Sequence, residues 1–328
     1  MHQATSGARM SWRLFSARGA AADALGAPVL LLRPVARGSK VDAVAVLLAL
    51  IAAMAYGVSD FLAGLMARRA SVFLVTLISE AAATIVVGAA LPFTGGVIDG
   101  TSLLWGGIAG LGGGGGAMFL YRGLARGSMS IVGPVSAVVT AAGSATVGVA
   151  LGERPGPVTA AGIVLACVAV GLVSMSEPTG SVSPGEAWRA LFNATAAGIG
   201  FAVLFVGLNR AGGGAGLWPV AAATLMAMVL ALIAVVVAVL RNHEQVRGIQ
   251  RISLGSAAVG ALGGGATVAY FVATHHGLLT VTAVITSLYP ATTVLLALGF
   301  LRERLRRVQT LGAGLAAVAV ALLSTAGG

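Results

Sequence analysis

Residues 113–127 read GGGGAMFLYRGLARG and residues 263–277 read GGGATVAYFVATHHG, and the correspondence runs without a gap from Gly113–Leu172 to Gly263–Leu322. Matching positions differ throughout by 150 residues. Gly113, Gly114 and Gly115 fall on Gly263, Gly264 and Gly265, Gly127 on Gly277, Leu151 on Leu301, Glu153-Arg154 on Glu303-Arg304, and Gly162 on Gly312. The chain is a duplication, and each repeat must form an equivalent structural unit.

Composition decides the solvent of those units. Apolar residues make up 58% of the chain and charged residues 9%, against roughly 25% charged in soluble domains. A helix needs about 20 apolar residues to cross a bilayer, and such stretches recur beyond residue 40. They predict helices over 42–66, 72–92, 102–124, 129–150, 157–175, 187–209, 217–240, 253–275, 278–300 and 308–325. Helices are preferred over a lipid-facing barrel because barrel strands alternate apolar and polar residues, whereas these runs are continuous.

The expected fold is an all-α integral membrane protein of ten transmembrane helices in two five-helix repeats. An odd number of spans per repeat makes the second enter the membrane opposite to the first, giving inverted repeats. The expected divisions are a basic, disordered tail over 1–40, a first repeat over 41–175, a polar linker over 176–186 and a second repeat over 187–328. The tail carries Arg9, Arg13, Arg18, Arg33, Arg37 and Lys40 against Asp23 alone, and a native start near Val41 is the alternative to a tail.

The formal charge of +10 does not point to nucleic acid, because the arginines lie singly or in small groups between spans with no basic face or aromatic interleaving; contact with anionic lipid fits them better. Four histidines, His2, His243, His275 and His276, have no metal-ligand spacing, so no metal or cofactor is expected. Cys167 is the sole cysteine and makes no intramolecular disulfide.

Two acids interrupt the apolar spans. An acid at mid-helix costs about 2.5–3.5 kcal/mol, which makes Asp60 and Glu80 candidates for a proton or cation site. Taking the turn at Ala70, both lie ten residues from it, roughly 15 Å along their helices. If they face one another they titrate as a coupled pair; the alternative is that each accepts hydrogen bonds separately from a neighbouring helix. Tyr56 precedes Asp60 by one helical turn and shares its face, whereas Ser59 is expected to point elsewhere.

Pro290 denies the Thr286 carbonyl its helical donor, so Thr286, Tyr289 and Pro290 mark a second candidate site at a broken helix. The alternative is a plain kink filled by packing. The glycines 113–115 and 263–265 open a cavity or hinge on one reading and allow close helix packing on the other. Arg122 is expected to snorkel to the interface, and His275 and His276 to lie there without partners. Glu153-Arg154 and Glu303-Arg304 are expected to fix loops by short-range pairing.

The chain resembles the EamA family of the drug/metabolite transporter superfamily. The resemblance rests on Tyr56-Gly57-Val58-Ser59-Asp60-Phe61, the stretch Tyr121 to Gly127, Leu151-Gly152-Glu153-Arg154, Leu217-Trp218-Pro219, Ser287-Leu288-Tyr289-Pro290 and Arg302-Glu303-Arg304, in that order through both halves. The halves are not identical: Thr140 stands where the second has Pro290, and Pro134 faces Val284.

The resemblance implies a secondary transporter of the cytoplasmic membrane, working by alternating access. It would be a proton-linked or passive carrier, often an exporter, of a small metabolite, amino acid or amphipathic compound. It also implies a cavity lined by spans one, three, four, six, eight and nine, with five and ten peripheral. Both chain ends would then be cytoplasmic, an orientation the basic tail alone supports; the arginines concentrate in the loops this places outside, so a start near Val41 would favour the reverse, and the orientation stays open. The competing classes are a non-transporting membrane scaffold and an intramembrane enzyme. For an aspartyl protease, no second aspartate accompanies Asp60 within a span and Glu80 would have to substitute; no enzyme is expected.

Overall fold

The computed structural model describes residues 42–125, 129–173, 184–241, 249–293, 296 and 307–325. Among these residues are ten α-helices: α1 Ala43–Ala67, α2 Val72–Ala90, α3 Gly100–Ala125, α4 Met129–Ala150, α5 Pro157–Val173, α6 Pro184–Arg210, α7 Trp218–Leu240, α8 Ile249–His276, α9 Leu279–Thr286 and α10 Arg307–Thr325. The expected tail over 1–40, most of the linker and the Arg302-Glu303-Arg304 stretch lie outside the described residues.

Short polar side chains start the helices where the sequence supplies them. Asp42 accepts the Val44 amide at the head of α1 and Ser71 accepts the Leu74 amide at the head of α2. Asp99 accepts the Thr101 amide at 2.8 Å ahead of α3, satisfying donors that the first helical turn leaves free.

Six helices, α1, α2, α3, α6, α7 and α8, are both long and apolar enough to cross a membrane. Of the other expected spans, α4, α5 and α10 carry shorter apolar segments, Val135–Ala150, Pro157–Leu172 and Gly314–Leu323. The ninth departs most from the continuous helix expected over 278–300. α9 stops at Thr286, Ser287 and Leu288 form a turn, and helix resumes at 289–293. The break falls where Pro290 removes an amide donor. Large apolar side chains cover the outer surface, with Ile85 71% and Leu254 84% exposed, the arrangement expected of a surface solvated by lipid.

The two repeats pack as equivalents. α1 lies on α8 as α6 lies on α3, and α2 lies on α8 as α7 lies on α3; the pairs α2–α7, α4–α9 and α5–α10 each join a helix to its own counterpart. Glycine makes the closest crossings possible. A Cβ on Gly110 or Gly114 would stand 2.9 Å from the Cα of Ala223 or Ala227 on α7. Gly264, the repeat partner of Gly114, meets Ala83 Cα of α2 at 3.1 Å in the same way. These are small-residue interfaces at four-residue spacing, which bring backbones together without lipid between them. Between the halves, the Val97 amide donates to the Gly214 carbonyl at 3.2 Å, joining the α2–α3 connection to the α6–α7 connection.

Candidate functional site

The close crossings leave a central cavity of about 80 Å³ between the halves. Asp60 and Tyr56 reach it from α1, Glu80 from α2, Tyr121 from α3, Phe201 and Phe205 from α6, and Tyr289 from the segment after the α9 break. Asp60 and Glu80 thus meet one cavity from antiparallel neighbours, and among the described residues no Lys, Arg or His lines it. Among the described residues no protein hydrogen-bond donor or counter-ion contacts either carboxylate.

Local chemistry fixes the walls. The Tyr56 hydroxyl is 2.8 Å from Thr267 Oγ1 on α8, and its ring lies 6.3 Å from that of Phe205. Phe205 in turn stacks on Tyr270 at 4.0 Å. Gly57, one residue beyond Tyr56, explains how Tyr289 arrives: a Cβ there would sit 2.5 Å from the Tyr289 carbonyl oxygen. Thr293 clamps the same crossing by donating to the Gly57 carbonyl at 3.0 Å. From behind, Ser136 of α4 reaches the Tyr289 hydroxyl at 3.3 Å.

The second candidate site divides. Tyr289 lines the cavity, but Thr286 and Pro290 do not. Thr286 is fully buried with its hydroxyl directed to the Ala49 carbonyl at 3.4 Å, so the break carries Tyr289 inward while Thr286 packs against α1. The glycines divide too. Gly113, Gly263 and Gly264 line the cavity, Gly114 and Gly264 form helix contacts, and a Cβ on Gly115 or Gly265 would meet nothing within 4 Å.

Several residues differ from the sequence reading. Ser59 does line the cavity, its hydroxyl donating to the Val259 carbonyl at 3.0 Å. Tyr121, Thr267, Phe201 and Phe205 join the site without having been singled out. The one signal for Tyr121 was rarity, since the chain has only four tyrosines, all of them in spans. The cavity draws on α2 and α7 and takes no lining residue from the described part of α4, because the Gly-to-Ala crossings pull α2 and α7 inward.

Glu153 does not serve only its own loop. Its carboxylate accepts the amides of Leu279 at 2.7 Å and Thr280 at 2.9 Å, capping α9 in the other half. The histidines are packed rather than partnerless: His276 is buried, and His275 Nδ1 lies 2.7 Å from the Phe271 carbonyl. Arg122 is exposed near the end of α3.

Two homologous halves enclosing an acid-lined cavity define a class, the multi-pass helical membrane proteins of internal two-fold design. Within it, the chain belongs to the EamA-like transporter family, which matches residues 43–175 and again 188–325 and falls in the drug/metabolite transporter superfamily. Among curated proteins none matches. A crystal structure, titled only as that of a protein, superposes with a TM-score of 0.67 at 18% identity, covering 86% of this chain and 96% of its own. Likeness at that identity shows the shared fold.

Proposed function

We propose that the chain is a secondary carrier of a small organic solute in the cytoplasmic membrane, with ten crossings arranged as two inverted repeats and a central site exposed to each side in turn. The observation that carries this reading is the cavity at the interface of the equivalent halves, holding two acids that no described residue pairs. Inversion is supported by the contact of Val97 with Gly214: the α6–α7 connection is the counterpart of α1–α2, yet it meets the α2–α3 connection at the opposite end of the helices. Two near-equivalent packings, one open to each face, follow from such symmetry.

In this reading Asp60 and Glu80 take up the proton or cation, and Tyr56 and Tyr289 contact the solute. Gly113 and Gly263 leave it room beside the backbone. Thr286 and Pro290 set the break that presents Tyr289. A pH gradient imposed on proteoliposomes should drive solute movement, and Asp60→Asn should abolish the driven component while leaving protein insertion intact. Normal gradient-driven flux in that variant would remove Asp60 from coupling.

A further inference from the structure

The hydrogen-bonding capacity of the cavity wall is one-sided. Each hydroxyl has a single proton to give, and at most of the wall that proton is already committed within the protein. Ser59 donates to the Val259 carbonyl and Ser79 to those of Val75 or Ser256. Thr224 donates to the Ala221 carbonyl, and Thr267 to that of Gly263 at 2.8 Å. With the Thr267 proton so placed, the 2.8 Å contact to Tyr56 requires Tyr56 to be the donor. The helical backbone amides are spent in their own ladders. What faces the cavity is therefore acceptor capacity, headed by two carboxylates, with five aromatic rings, Tyr56, Tyr121, Tyr289, Phe201 and Phe205, around them.

From this wall we infer that the cavity takes a small organic cation, a protonated amine or quaternary ammonium with an apolar body. The inference rests on the reading of the cavity as the solute site and narrows its chemistry. A solute bearing a carboxylate or phosphate is repelled by either acid when ionised and finds almost no donor on the rest of the wall. A neutral solute brings no counter-charge, so the two acids must be neutralised by protons instead, because an unpaired carboxylate buried here is costly. A cation supplies the missing charge, the N–H groups of a protonated amine meet free acceptors, and the positive end of either cation is attracted to the negative faces of the rings.

Size agrees. The cavity of about 80 Å³ admits roughly five to eight waters, or about 150–240 Å³ of liquid volume. That suits an amine carrying one ring.

Three probes of near-identical shape decide the matter on the purified full chain in lipid nanodiscs at pH 7: phenethylamine as the cation, 2-phenylethanol as the neutral and phenylacetate as the anion. Calorimetric titration should show the cation binding at least roughly tenfold tighter than either of the others. Asp60→Asn and Glu80→Gln should each weaken it. Phe201→Leu, which keeps the wall apolar but removes a ring, should weaken it about two- to thirtyfold. Restored binding in Asp60→Glu guards against a folding artefact in Asp60→Asn.

Equal or tighter binding of the alcohol or phenylacetate overturns the inference, as does unchanged cation affinity in both carboxylate variants. The two readings fail separately. Saturable flux of an anionic solute without phenethylamine binding keeps the carrier and sinks the cation, whereas phenethylamine binding without saturable flux of any probe keeps the cation site and sinks the carrier.

Discussion

Glu153→Ala tests the contact that ties the first half to the broken helix of the second. The Glu153 carboxylate holds the first two amides of α9, at 2.7 and 2.9 Å, and both Leu279 and Thr280 are fully buried. Leu278, at the cap position, supplies no side-chain bond, so Glu153 does the capping from 126 residues away in sequence. Each amide stripped of its acceptor costs about 1–3 kcal/mol, which bounds the loss at roughly 2–6 kcal/mol. Glu153 itself is only half-buried, so water can enter the space it leaves, and the lower part of the range, about 2–3 kcal/mol, is the expectation. Glu153→Gln keeps one acceptor oxygen and should lose about half as much. Hydrogen exchange in nanodiscs reads the effect locally: protection across 279–286 should fall on the order of thirtyfold or more in the alanine variant. The reasoning is refuted if exchange there is unchanged while the protein remains folded.

Gly110→Ala should force α3 from α7, because its Cβ would meet backbone of Ala223 rather than a movable side chain; a loss of about 1–3 kcal/mol is expected in denaturant titration. Gly115→Ala, with nothing within 4 Å, should be neutral or slightly stabilising, and equal losses at both positions would refute the packing argument. At Asp99, bonding from the Ser102 hydroxyl and amide and from the Thr101 amide holds the carboxyl below the ordinary aspartate range. Its capping contribution should therefore be complete above about pH 4 and vanish as pH falls through the lowered folded-state value. Amide exchange in the first turn of α3, measured downward from pH 5, should show that onset in the native chain and a higher-pH onset in Ser102→Ala. An onset unmoved by Ser102→Ala would contradict the assignment.

The duplication and the apolar spans were legible because both are patterns along one dimension. Asp60, Glu80 and Tyr56 were legible for a related reason: polar groups in an apolar helix are conspicuous, and a four-residue interval fixes a shared face. What the sequence did not disclose depends on helix rotation and on partners far away. Ser59 lies one position from Asp60 and yet reaches the same cavity, because α8 passes close enough for its hydroxyl to bond the Val259 carbonyl. The role of Glu153 needed the position of α9, and the inward placement of α2 and α7 needed the Gly-to-Ala crossings. Pro290 foretold the broken helix but not that Tyr289, rather than Thr286, would face inward.

Alternating exposure of the cavity is tested most directly by a single thiol within it. With Cys167 replaced by serine, Thr224→Cys places the only cysteine on the cavity wall. Sealed vesicles are then treated with a membrane-impermeant thiol reagent applied outside or trapped inside. The account predicts labelling from both faces, slowed in each case by bound solute. Labelling confined to one face under all gradients and solutes would contradict it.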